Sequence, residues 1–365
     1  MNKKCRVLIV IEQSSISYKY FENILIAFKD HPIYEIDVLN LMNFDGVNDH
    51  LGQFCAKVFS LPNRKPYKKQ LLNIREIISI SNPDIIHAHE VIPSFYAAIA
   101  LLAMGSGKKL IFHRHHSFYR NFATRFMEKV AFFRCNLAIS VSKTTQQNAF
   151  SEHPLGKKKI IQLYNGITVV DNDIPLPFDV GQFENKFKIV LLSRLRTRKG
   201  HFTAIEAIDI VRQKIPNIVL FFAGEGDYRK HIEAEIEEKK LQEYVILLGD
   251  VVNIKALLNQ IDIAILPSES EAFNLSILET FACNKLSIAS DLPSIRECIT
   301  DGLTGVLIEP NNADALADKI IYYINNTEAR IEIAANGKKL YEEKFTTSVM
   351  VNNIISIYDG LLNKK

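Results

Sequence analysis

Two glutamates flank the start of a predicted helix: Glu271 precedes the helix and Glu279 lies inside it. Asn274 is a favourable N-cap, and the apolar residues that recur after it at helical spacing predict that the helix begins there. The backbone N–H groups of Asn274, Leu275 and Ser276 would then lie at the positive end of the helix, where an anion binds well. Each carboxylate can accept hydrogen bonds from a pair of sugar hydroxyls. An anion site between two such carboxylates indicates a nucleotide-sugar ligand.

A basic turn supplies a second candidate for phosphate binding. Ser193–Gly200 follows a predicted strand and precedes a predicted helix. Arg194 and Lys199 flank this turn, so both side chains could reach a diphosphate at the end of the strand, the guanidinium bidentately and the ammonium as a point charge. The alternative is a solvated basic turn, and we expect Arg196 and Arg198 to include solvated positions.

Histidines gather at the ends of two other predicted strands. His113, His115 and His116 close one strand, and His87 and His89 close another. Residues two apart in a strand share a face, but no cysteine or carboxylate nearby completes a set of metal ligands. We therefore expect no metal here, and we favour a contact with donor or acceptor over a structural role for the first group. For His87 and His89, lining the acceptor side and a structural role both remain open.

Predicted strands and helices alternate along the chain, which indicates parallel sheets with helices on both faces. The first series of predicted strands comprises residues 6–11, 34–39, 84–88, 110–113, 137–141 and 160–163. The second series comprises residues 188–192, 218–223, 244–248, 261–266, 286–289 and 305–308. We therefore predict an α/β fold of two Rossmann-like, doubly wound domains that face each other across a cleft.

The boundaries between these domains follow from composition. We predict an N-terminal, acceptor-side domain over residues 1–170 and a C-terminal, nucleotide-sugar-binding domain over residues 187–345. Residues 171–186 contain aspartate, proline and glycine without periodicity, as expected for a linker. Residues 346–365 are predicted to end the chain as a helix that packs back on the N-terminal domain.

Composition excludes several classes of protein. A net charge of +3 on 365 residues is too small to indicate a nucleic-acid partner. The five cysteines are scattered without a CxxC pair, which is typical of reduced thiols in a cytoplasmic protein. The apolar run at Val7–Ile11 ends at Glu12 without a cleavage site, so it is better interpreted as a buried strand than as a signal peptide. No segment reaches the roughly 20 apolar residues of a membrane span.

These motifs resemble those of a known family. Ser193–Gly200 resembles the "GRLxxxKG" turn, and Glu271–Glu279 resembles the "EGFGLxxLE" segment, of GT-B glycosyltransferases in retaining family 4, the glycosyl transferases of group 1. Further matches follow in the order and at the spacing of that family over roughly residues 80–315. They are Pro83–His89, Ile139–Ser142, Tyr164–Ile167, Ala223–Gly226, Ile265–Ser268, Ala289–Asp291 and Asp301–Gly305.

The resemblance implies a role for each residue of the donor site. Arg194 and Lys199 match the basic pair that binds the donor diphosphate. Glu279 matches the carboxylate that holds the ribose diol, and Glu271 the one that contacts the transferred sugar. The backbone of residues 274–276 matches groups that meet the phosphate and the sugar. Glu271, Arg194 and Lys199 are accordingly our catalytic candidates on the donor side.

The resemblance also selects one histidine. His115 matches the family histidine near the reacting sugar, and it is the fourth catalytic candidate. His113 and His116 lie close enough in the chain to compete for that role, and together with His87 and His89 they are our acceptor-side candidates.

The implied reaction is the transfer of a sugar from a nucleoside-diphosphate sugar, with retention of anomeric configuration and without a metal or other cofactor. A UDP-sugar is the favoured donor and GDP-mannose the next. The acceptor would be a glycan or a lipid-linked molecule, in the synthesis of cell-surface polysaccharide, lipopolysaccharide or glycolipid. The segment Asp171-Asn172-Asp173 looks like a metal-binding DxD motif, but it falls in the predicted linker, so we discount it.

The sequence departs from the family pattern at three places. The glycine-rich loop after the first strand is replaced by Glu12–Ser17, which contains no glycine. Ala272 and Asn274 replace two glycines of the "EGFG" run, and Pro293-Ser294 replaces a later glycine pair. Each change can reshape the pocket of the donor sugar, although none removes a charged group.

Three other functions are compatible with parts of the sequence. A dinucleotide oxidoreductase is disfavoured because Arg229 stands where the third glycine of a G-x-G-x-x-G motif belongs. A sugar-nucleotide epimerase would share the architecture but not the order of the motifs. A non-catalytic nucleotide-sugar-binding protein would keep the donor site and lack turnover, and the altered loops leave it as the main alternative.

Contact with an anionic membrane is a separate hypothesis. Residues 118–134 mix phenylalanine and tyrosine with arginine and lysine, and residues 64–69 add further cations. These segments are compatible with docking on anionic lipid at the inner face of the cell membrane. The competing interpretation, which we favour from sequence, is a core helix with a solvated basic edge.

Overall fold

The computed structural model describes residues 4–12, 18–42, 47–61, 67–115, 121–170 and 174–363. The chain divides into two compact units, the first made of residues 1–166 and 347–365 and the second of residues 167–346. Each unit is a parallel sheet flanked by helices, which confirms the predicted α/β class of two Rossmann-like domains.

The sheet of unit 1 has seven strands in the order β3-β2-β1-β4-β5-β6-β7, and every neighbouring pair is parallel. The strands are β1 (Cys5–Ile11), β2 (Tyr34–Asn40), β3 (Lys57–Ser60), β4 (Ile85–His89), β5 (Lys109–Arg114), β6 (Leu137–Ser140) and β7 (Ile160–Gln162). The helices are α1 (Tyr18–Phe28), α2 (Val47–Leu51), α3 (Tyr67–Ser81), α4 (Val91–Ala103), α5 (Phe122–Arg134), α6 (Lys143–Glu152), a 3₁₀ helix (Pro154–Lys159) and, from the end of the chain, α13 (Thr347–Leu362).

The sheet of unit 2 has six parallel strands in the order β10-β9-β8-β11-β12-β13. The strands are β8 (Phe187–Leu192), β9 (Ile218–Ala223), β10 (Val245–Gly249), β11 (Ile263–Leu266), β12 (Leu286–Ser290) and β13 (Val306–Ile308). The helices are a 3₁₀ helix (Val180–Phe183), α7 (His201–Lys214), α8 (Arg229–Glu238), α9 (Ile254–Asn259), α10 (Leu275–Ala282), α11 (Ala313–Asn325) and α12 (Thr327–Lys344).

The central strands are apolar on both faces because helices cover both sides of each sheet. In β1, Leu8 and Val10 belong to one buried apolar layer, whereas Val7 and Ile9 belong to the other. The strands of unit 2 alternate in the same way between two layers. This explains why the strands appear in the sequence as short continuous apolar runs.

Both sheets reverse their strand order at one point. In unit 1 the reversal lies between β1 and β4, and in unit 2 it lies between β8 and β11. The connections that leave the two strands run in opposite directions, so the loops that follow them separate and leave a crevice beyond the strand ends. In unit 1 the predicted site residues lie at the carboxyl ends of β4 and β5, and in unit 2 they follow β8 and β11.

The segment predicted as a linker lies partly outside the described residues, since Asp171–Asp173 are not described. Residues 174–186 lie against the sheet of unit 2, where Val180 is buried in the same apolar layer as Val190 and Phe221. At the other end of the chain, α13 buries Met350, Ile354 and Tyr358 in the apolar layer of unit 1 that also contains β1 and α1 residues. Unit 1 therefore draws its last helix from beyond unit 2.

Within the described residues, no helix is both long and apolar enough to cross a membrane.

Candidate functional site

The crevice of unit 2 brings the basic turn and the first glutamate together. Lys199 ends the turn after β8, and Glu271 lies in the loop after β11, the strand that pairs directly with β8. Lys199 Nζ donates to Glu271 Oε1 at 2.7 Å. The Glu271 side chain is only 8% exposed, whereas that of Lys199 is 29% exposed. The ammonium can therefore be reached by a ligand while it already compensates a nearly buried carboxylate.

Close backbone packing fixes the position of the basic turn. Gly200 has φ +75°, and a Cβ added to it would lie 1.9 Å from the carbonyl oxygen of Pro267. Gly224, with φ +143°, approaches the backbone of Ser193 so closely that a Cβ would lie 2.1 Å from its carbonyl oxygen. At these two points the backbone of the segment after β8 lies directly against backbone that follows β11 and β9.

The arginines of the turn differ in their surroundings. Arg194, Arg196 and Arg198 are all exposed. Arg198 has φ +68°, a strained conformation for a residue with a side chain, and its carbonyl accepts a hydrogen bond from the Glu269 N–H at 3.0 Å. Arg194 lies at the start of the turn, directly after the strand and Ser193. Its guanidinium is therefore accessible to an anion.

Helix α10 begins where the sequence predicts, and its cap is well formed. The Asn274 side chain accepts a hydrogen bond from the Ile277 N–H at 3.1 Å. The Ser276 hydroxyl donates to the carbonyl of Leu192 at the end of β8, at 2.8 Å. The first N–H groups of the helix have no intrahelical acceptor, so α10 presents them at the crevice edge formed by β8. Glu279 is half-buried on this helix, and because helical side chains lean towards the N-terminus, it lies over the turn that begins at Leu275.

Two residues that support the site were not singled out from sequence. The Ser294 hydroxyl donates to the carbonyl of Glu271 at 2.7 Å, so a residue that replaces a family glycine now holds this loop. His201 Nε2 lies 3.2 Å from the Ser193 hydroxyl. Burial and the nearby charge of Lys199 lower the pKa of His201 to about 4, so the ring is neutral at neutral pH. A replaced glycine was the only sequence signal for Ser294, and His201 gave none.

In unit 1, four of the predicted histidines form one stack. β4 pairs with β5 so that His89 lies beside His113, and this places His87, His89, His113 and His115 on one face of the sheet. Successive rings stack, with centroids 4.3 Å apart for His113 and His115 and 4.4 Å apart for His87 and His89. The fifth, His116, lies outside the described residues.

Hydrogen bonds link the rings in two chains. The Tyr358 hydroxyl of α13 lies 2.7 Å from His87 Nδ1, and His87 Nε2 lies 3.2 Å from His113 Nδ1. Separately, His89 Nδ1 lies 2.9 Å from His115 Nε2. His115 is partly exposed, and the other three histidines are buried. The cluster therefore opens outwards at His115. Tyr358 was not recognised from sequence, because 271 residues separate it from His87.

Burial keeps the three inner histidines neutral. It lowers the pKa of His87 to about 3. For His89 and His113, burial together with repulsion from neighbouring histidines lowers the pKa well below the ordinary value. Nitrogen atoms of these three residues lie within 4.8 Å of one another, a spacing that a metal ion could bridge. The rings stack and hydrogen-bond to one another rather than converge on a point, so we interpret the cluster as a hydrogen-bonded network.

A buried ionic network lies next to this strand end. Arg114, between His113 and His115, is 2% exposed, and its Nη2 lies 2.6 Å from Glu152 Oε2 of α6. Its Nε lies 3.4 Å from Glu128 Oε1 of α5. Removing one member of a buried ion pair leaves an uncompensated charge, so this network holds the end of β5 firmly between two helices.

The two sites can perform different chemistry. The crevice of unit 2 offers an accessible guanidinium, an ammonium and a helix N-terminus to an anion, with Glu271 and Glu279 available for hydroxyl groups. The cluster of unit 1 offers neutral imidazoles that can donate or accept hydrogen bonds. In unit 2 the polar groups follow the two strands at which the strand order reverses. In unit 1 they lie at the carboxyl ends of two adjacent strands, of which β4 borders the reversal.

Two known protein families match consecutive parts of the chain. The family described as "Glycosyl transferases group 1" matches residues 174–340. The family described as "Glycosyltransferase Family 4" matches residues 40–170. These two ranges together contain every described residue of the candidate site except Tyr358.

Individual relatives cover most of the chain. An uncharacterized glycosyltransferase of Methanocaldococcus jannaschii is 26% identical over 318 residues, which are 83% of this chain and 85% of the relative. The N-acetyl-alpha-D-glucosaminyl L-malate synthase of Bacillus anthracis is 24% identical over 326 residues, 86% of this chain and 85% of the relative.

The fold is shared with solved structures. Anabaena HepE, in its crystal structure with UDP-glucose, superimposes with a TM-score of 0.84 and 20% identity, over 97% of this chain and 99% of HepE.

Proposed function

Because the chain belongs to the group 1 glycosyltransferases with the GT-B fold, enzymes of polysaccharide and glycoconjugate synthesis, we propose that it transfers a sugar from a nucleoside-diphosphate sugar with retention of anomeric configuration. The single observation that carries the proposal is the Lys199–Glu271 pair at 2.7 Å, placed in the crevice between β8 and β11. It sets a phosphate-binding cation against a sugar-binding carboxylate.

The diphosphate is bound by charges from three elements. Arg194 and Lys199 reach it from the turn after β8, and the N–H groups at the start of α10 reach it from the other side of the crevice. As the glycosidic bond breaks, negative charge grows on the leaving diphosphate, and donors that are already in position stabilise that charge. The cationic pair and the helix supply this stabilisation without a divalent metal.

The two glutamates bind the other two parts of the donor, the ribose and the transferred sugar. Glu279, over the first turn of α10, accepts hydrogen bonds from the ribose diol. Glu271 addresses the sugar that is transferred, and its ion pair with Lys199 ties the position of that carboxylate to the position of the diphosphate. Retention follows if the acceptor attacks on the face that the leaving group departs from, with the leaving phosphate taking the acceptor proton.

Unit 1 supplies the acceptor side. His115 is the partly exposed end of the histidine cluster and contacts the reacting sugar, while His89 holds its ring from behind at 2.9 Å. His87 and His113 lie deeper, so their contribution is to hold His89 and β5 in place.

A UDP-sugar is the favoured donor, and GDP-mannose is the second candidate. The UDP-glucose bound to Anabaena HepE supports the first choice. The acceptor is a glycan or a lipid-linked molecule used in cell-surface polysaccharide, lipopolysaccharide or glycolipid synthesis on the cytoplasmic side of the membrane.

Donor binding is tested by measuring the thermal stabilisation and Kd of the full chain with UDP-, GDP- and ADP-sugars. Arg194→Ala and Glu279→Ala should each weaken binding of the preferred donor by roughly 10- to 100-fold, since each removes hydrogen bonds to a charged group. Arg196→Ala, an exposed arginine of the same turn, is the matched control and should bind as the parent does. Unchanged affinity in both test variants would reject the assignment.

Turnover separates an enzyme from a non-catalytic binder. The protein should release the nucleoside diphosphate when donor and acceptor are both present, and NMR of the product should show the anomeric configuration of the donor. Activity should survive EDTA. Activity that is lost with EDTA and restored by Mn²⁺ would contradict the metal-free mechanism, and tight donor binding without any turnover would favour the binding protein.

A further inference from the structure

Helix α5 exposes an aromatic stripe that the transfer reaction does not use. Phe122, Phe126 and Phe133 are 85%, 57% and 76% exposed. With Lys129 they recur at spacings of four, three and four residues, so all four lie along one face of the helix. This contradicts the core-helix interpretation of the segment favoured from sequence, because the side of α5 that carries most of its phenylalanines faces outwards.

The helix is firmly held with this face outwards. At its N-terminus, the Asn121 side chain accepts a hydrogen bond from the Thr124 N–H at 2.9 Å, as part of a capping box. On its inner side, Glu128 is 1% exposed and faces Arg114, and Phe132 is buried. The stripe is therefore a fixed part of the surface, about 17 Å long at the helical rise.

Neighbouring residues extend the same kind of surface. The 3₁₀ helix Pro154–Lys159 packs beside α5, where His153 stacks on Phe132 with ring centroids 4.0 Å apart. Leu155 at its start is fully exposed. Lys157 and Lys158 are exposed as well.

The charges of this surface have one sign. Arg125, Lys129, Lys157 and Lys158 are exposed. Within residues 121–135 and 153–160 the only carboxylate belongs to Glu128, and it is buried. Exposed aromatic residues among cations are typical of helices that lie in the interface of a membrane, with the rings among the acyl chains and the cations at anionic headgroups.

We propose that α5 and the adjoining 3₁₀ helix form a docking surface for an anionic phospholipid bilayer, with Phe122, Phe126 and Phe133 inserted and the four cations at the headgroups. A second protein could also cover the aromatic stripe. It would have to supply acidic groups opposite four cations, and this surface has no exposed acidic residue of its own to fix the partner's orientation. Anionic lipid satisfies both the apolar stripe and the single sign of charge. Residues 64–66 and 118–120, which the sequence adds to this hypothesis, lie outside the described residues.

The test is cosedimentation of the full chain with vesicles. The protein should bind vesicles of equal parts phosphatidylglycerol and phosphatidylcholine, bind pure phosphatidylcholine at least tenfold more weakly, and be released by 0.5 M NaCl. The triple variant Phe122→Ser/Phe126→Ser/Phe133→Ser should lower partitioning by about 1,000-fold, at roughly tenfold for each ring removed. Lys129→Glu should lower it by about 25-fold, at roughly fivefold for each unit of charge.

The control is Tyr322→Ser/Ile331→Ser, which removes two side chains of unit 2 that are 51% and 57% exposed. It should bind vesicles as the parent does. All variants should retain the parent Kd for the nucleotide-sugar, which shows that they are folded and separates this proposal from that of the donor site. Equal binding to both vesicle types, or vesicle binding unchanged in the triple variant, would overturn the proposal. The proposal would also be overturned if the parent did not bind vesicles and instead formed a dimer that the triple variant converted into a monomer.

Discussion

Among single residues, Lys199 has two proposed interactions, one with Glu271 and one with the donor diphosphate. Its ammonium lies 2.7 Å from Glu271, whose side chain is 8% exposed. Loss of the lysine would leave a nearly buried carboxylate without its counter-charge, and such a loss costs more than an exposed ion pair contributes. The stability of the loop and the proposed binding of the diphosphate would therefore depend on the same side chain, and a double variant can separate them.

Lys199→Ala should lower the free energy of unfolding by about 1–3 kcal/mol and weaken donor binding by roughly 10- to 100-fold. Adding Glu271→Gln should recover most of the stability, because the unpaired charge is gone, but it should not recover donor affinity. Urea titration and calorimetry with the preferred donor measure the two effects. Arg198→Ala is the control, since its pair with Glu269 spans 3.8 Å between exposed side chains and contributes little. Donor affinity that returns in the double variant would contradict the role of Lys199.

The proton on His115 is set by its neighbour. His89 Nε2 is buried and has no hydrogen-bond partner among the described residues. A buried N–H without an acceptor costs more than a bare ring nitrogen, so the proton of His89 belongs on Nδ1, from which it donates to His115 Nε2 at 2.9 Å. His115 must then carry its own proton on Nδ1.

This assignment predicts the ¹⁵N spectrum of the protein. At pH 7.5, His115 should show the Nδ1–H tautomer, and His89→Phe should convert it to a mixture because the donor is lost. Tyr358→Phe removes a hydroxyl that bonds to His87 and should leave His115 unchanged. An Nε2–H tautomer of His115 in the parent protein would show that the direction of the hydrogen bond is reversed.

At the scale of elements, α10 shows what a departure from the family pattern does. Asn274 replaces a family glycine, and its side chain now caps the helix through the Ile277 N–H. Ser294 replaces another, and its hydroxyl now holds the carbonyl of Glu271. The loop that glycines would leave adaptable is thus fixed by two side-chain hydrogen bonds. The N–H groups that we propose for binding the diphosphate begin at this cap.

Asn274→Ala should lower the free energy of unfolding by about 1 kcal/mol, and Asn274→Gly by only a few tenths. Because we propose that the first turn of α10 binds the donor, Asn274→Ala should also raise the donor Kd by about three- to tenfold. The matched control is Asn253→Ala, which removes an equivalent cap from α9, where Asn253 accepts from the Ala256 N–H at 3.0 Å. It should cost similar stability and leave the Kd unchanged. Equal effects of both caps on the Kd would mean that donor binding follows overall stability alone.

Much of this architecture can be predicted from the sequence because the inner strands are buried on both faces and appear as apolar runs. The predicted strands are found within one or two residues of their observed bounds. β3 (Lys57–Ser60) was missed, since a four-residue edge strand with two exposed residues carries no such run. α12 was missed because only Ile333, Ala334, Gly337 and Tyr341 among its 18 residues are buried. Spacing along the chain also could not reveal partners that only the folded sheet brings together, such as Tyr358 with His87.

At the scale of the whole molecule, the buried histidines make stability depend on pH. The folded pKa of His87 is about 3, below the value near 6.5 of an unfolded histidine, and those of His89 and His113 are also lowered. Between the two pKa values the unfolded chain binds more protons than the folded one, so stability rises with pH. Their contribution is fully present above about pH 6.5 and is lost as the pH falls towards the folded values.

Unit 1 should therefore lose up to about 1.4 kcal/mol for each buried histidine and each pH unit below 6.5. Denaturant unfolding followed by circular dichroism between pH 7.5 and 4.5 measures the slope. His87→Gln should reduce the slope of unfolding free energy against pH by the contribution of one histidine. This holds whether or not the substitution changes stability at pH 7.5. His231→Gln, at an exposed position on α8, should leave the slope unchanged. A parent protein whose stability is flat between pH 6.5 and 5 would contradict buried, neutral histidines.

The path of the chain between units also sets the order in which they can be completed. Residues 167–346 form unit 2 without interruption, whereas unit 1 needs α13, which the ribosome makes after unit 2. Until α13 has been made, unit 1 exposes the apolar surface that Met350, Ile354 and Tyr358 will cover. The hydroxyl that bonds to His87 arrives in the same step. Unit 1, which begins earlier in the chain than unit 2, can therefore be completed only after unit 2 has been synthesised, and its histidine cluster is covered only then.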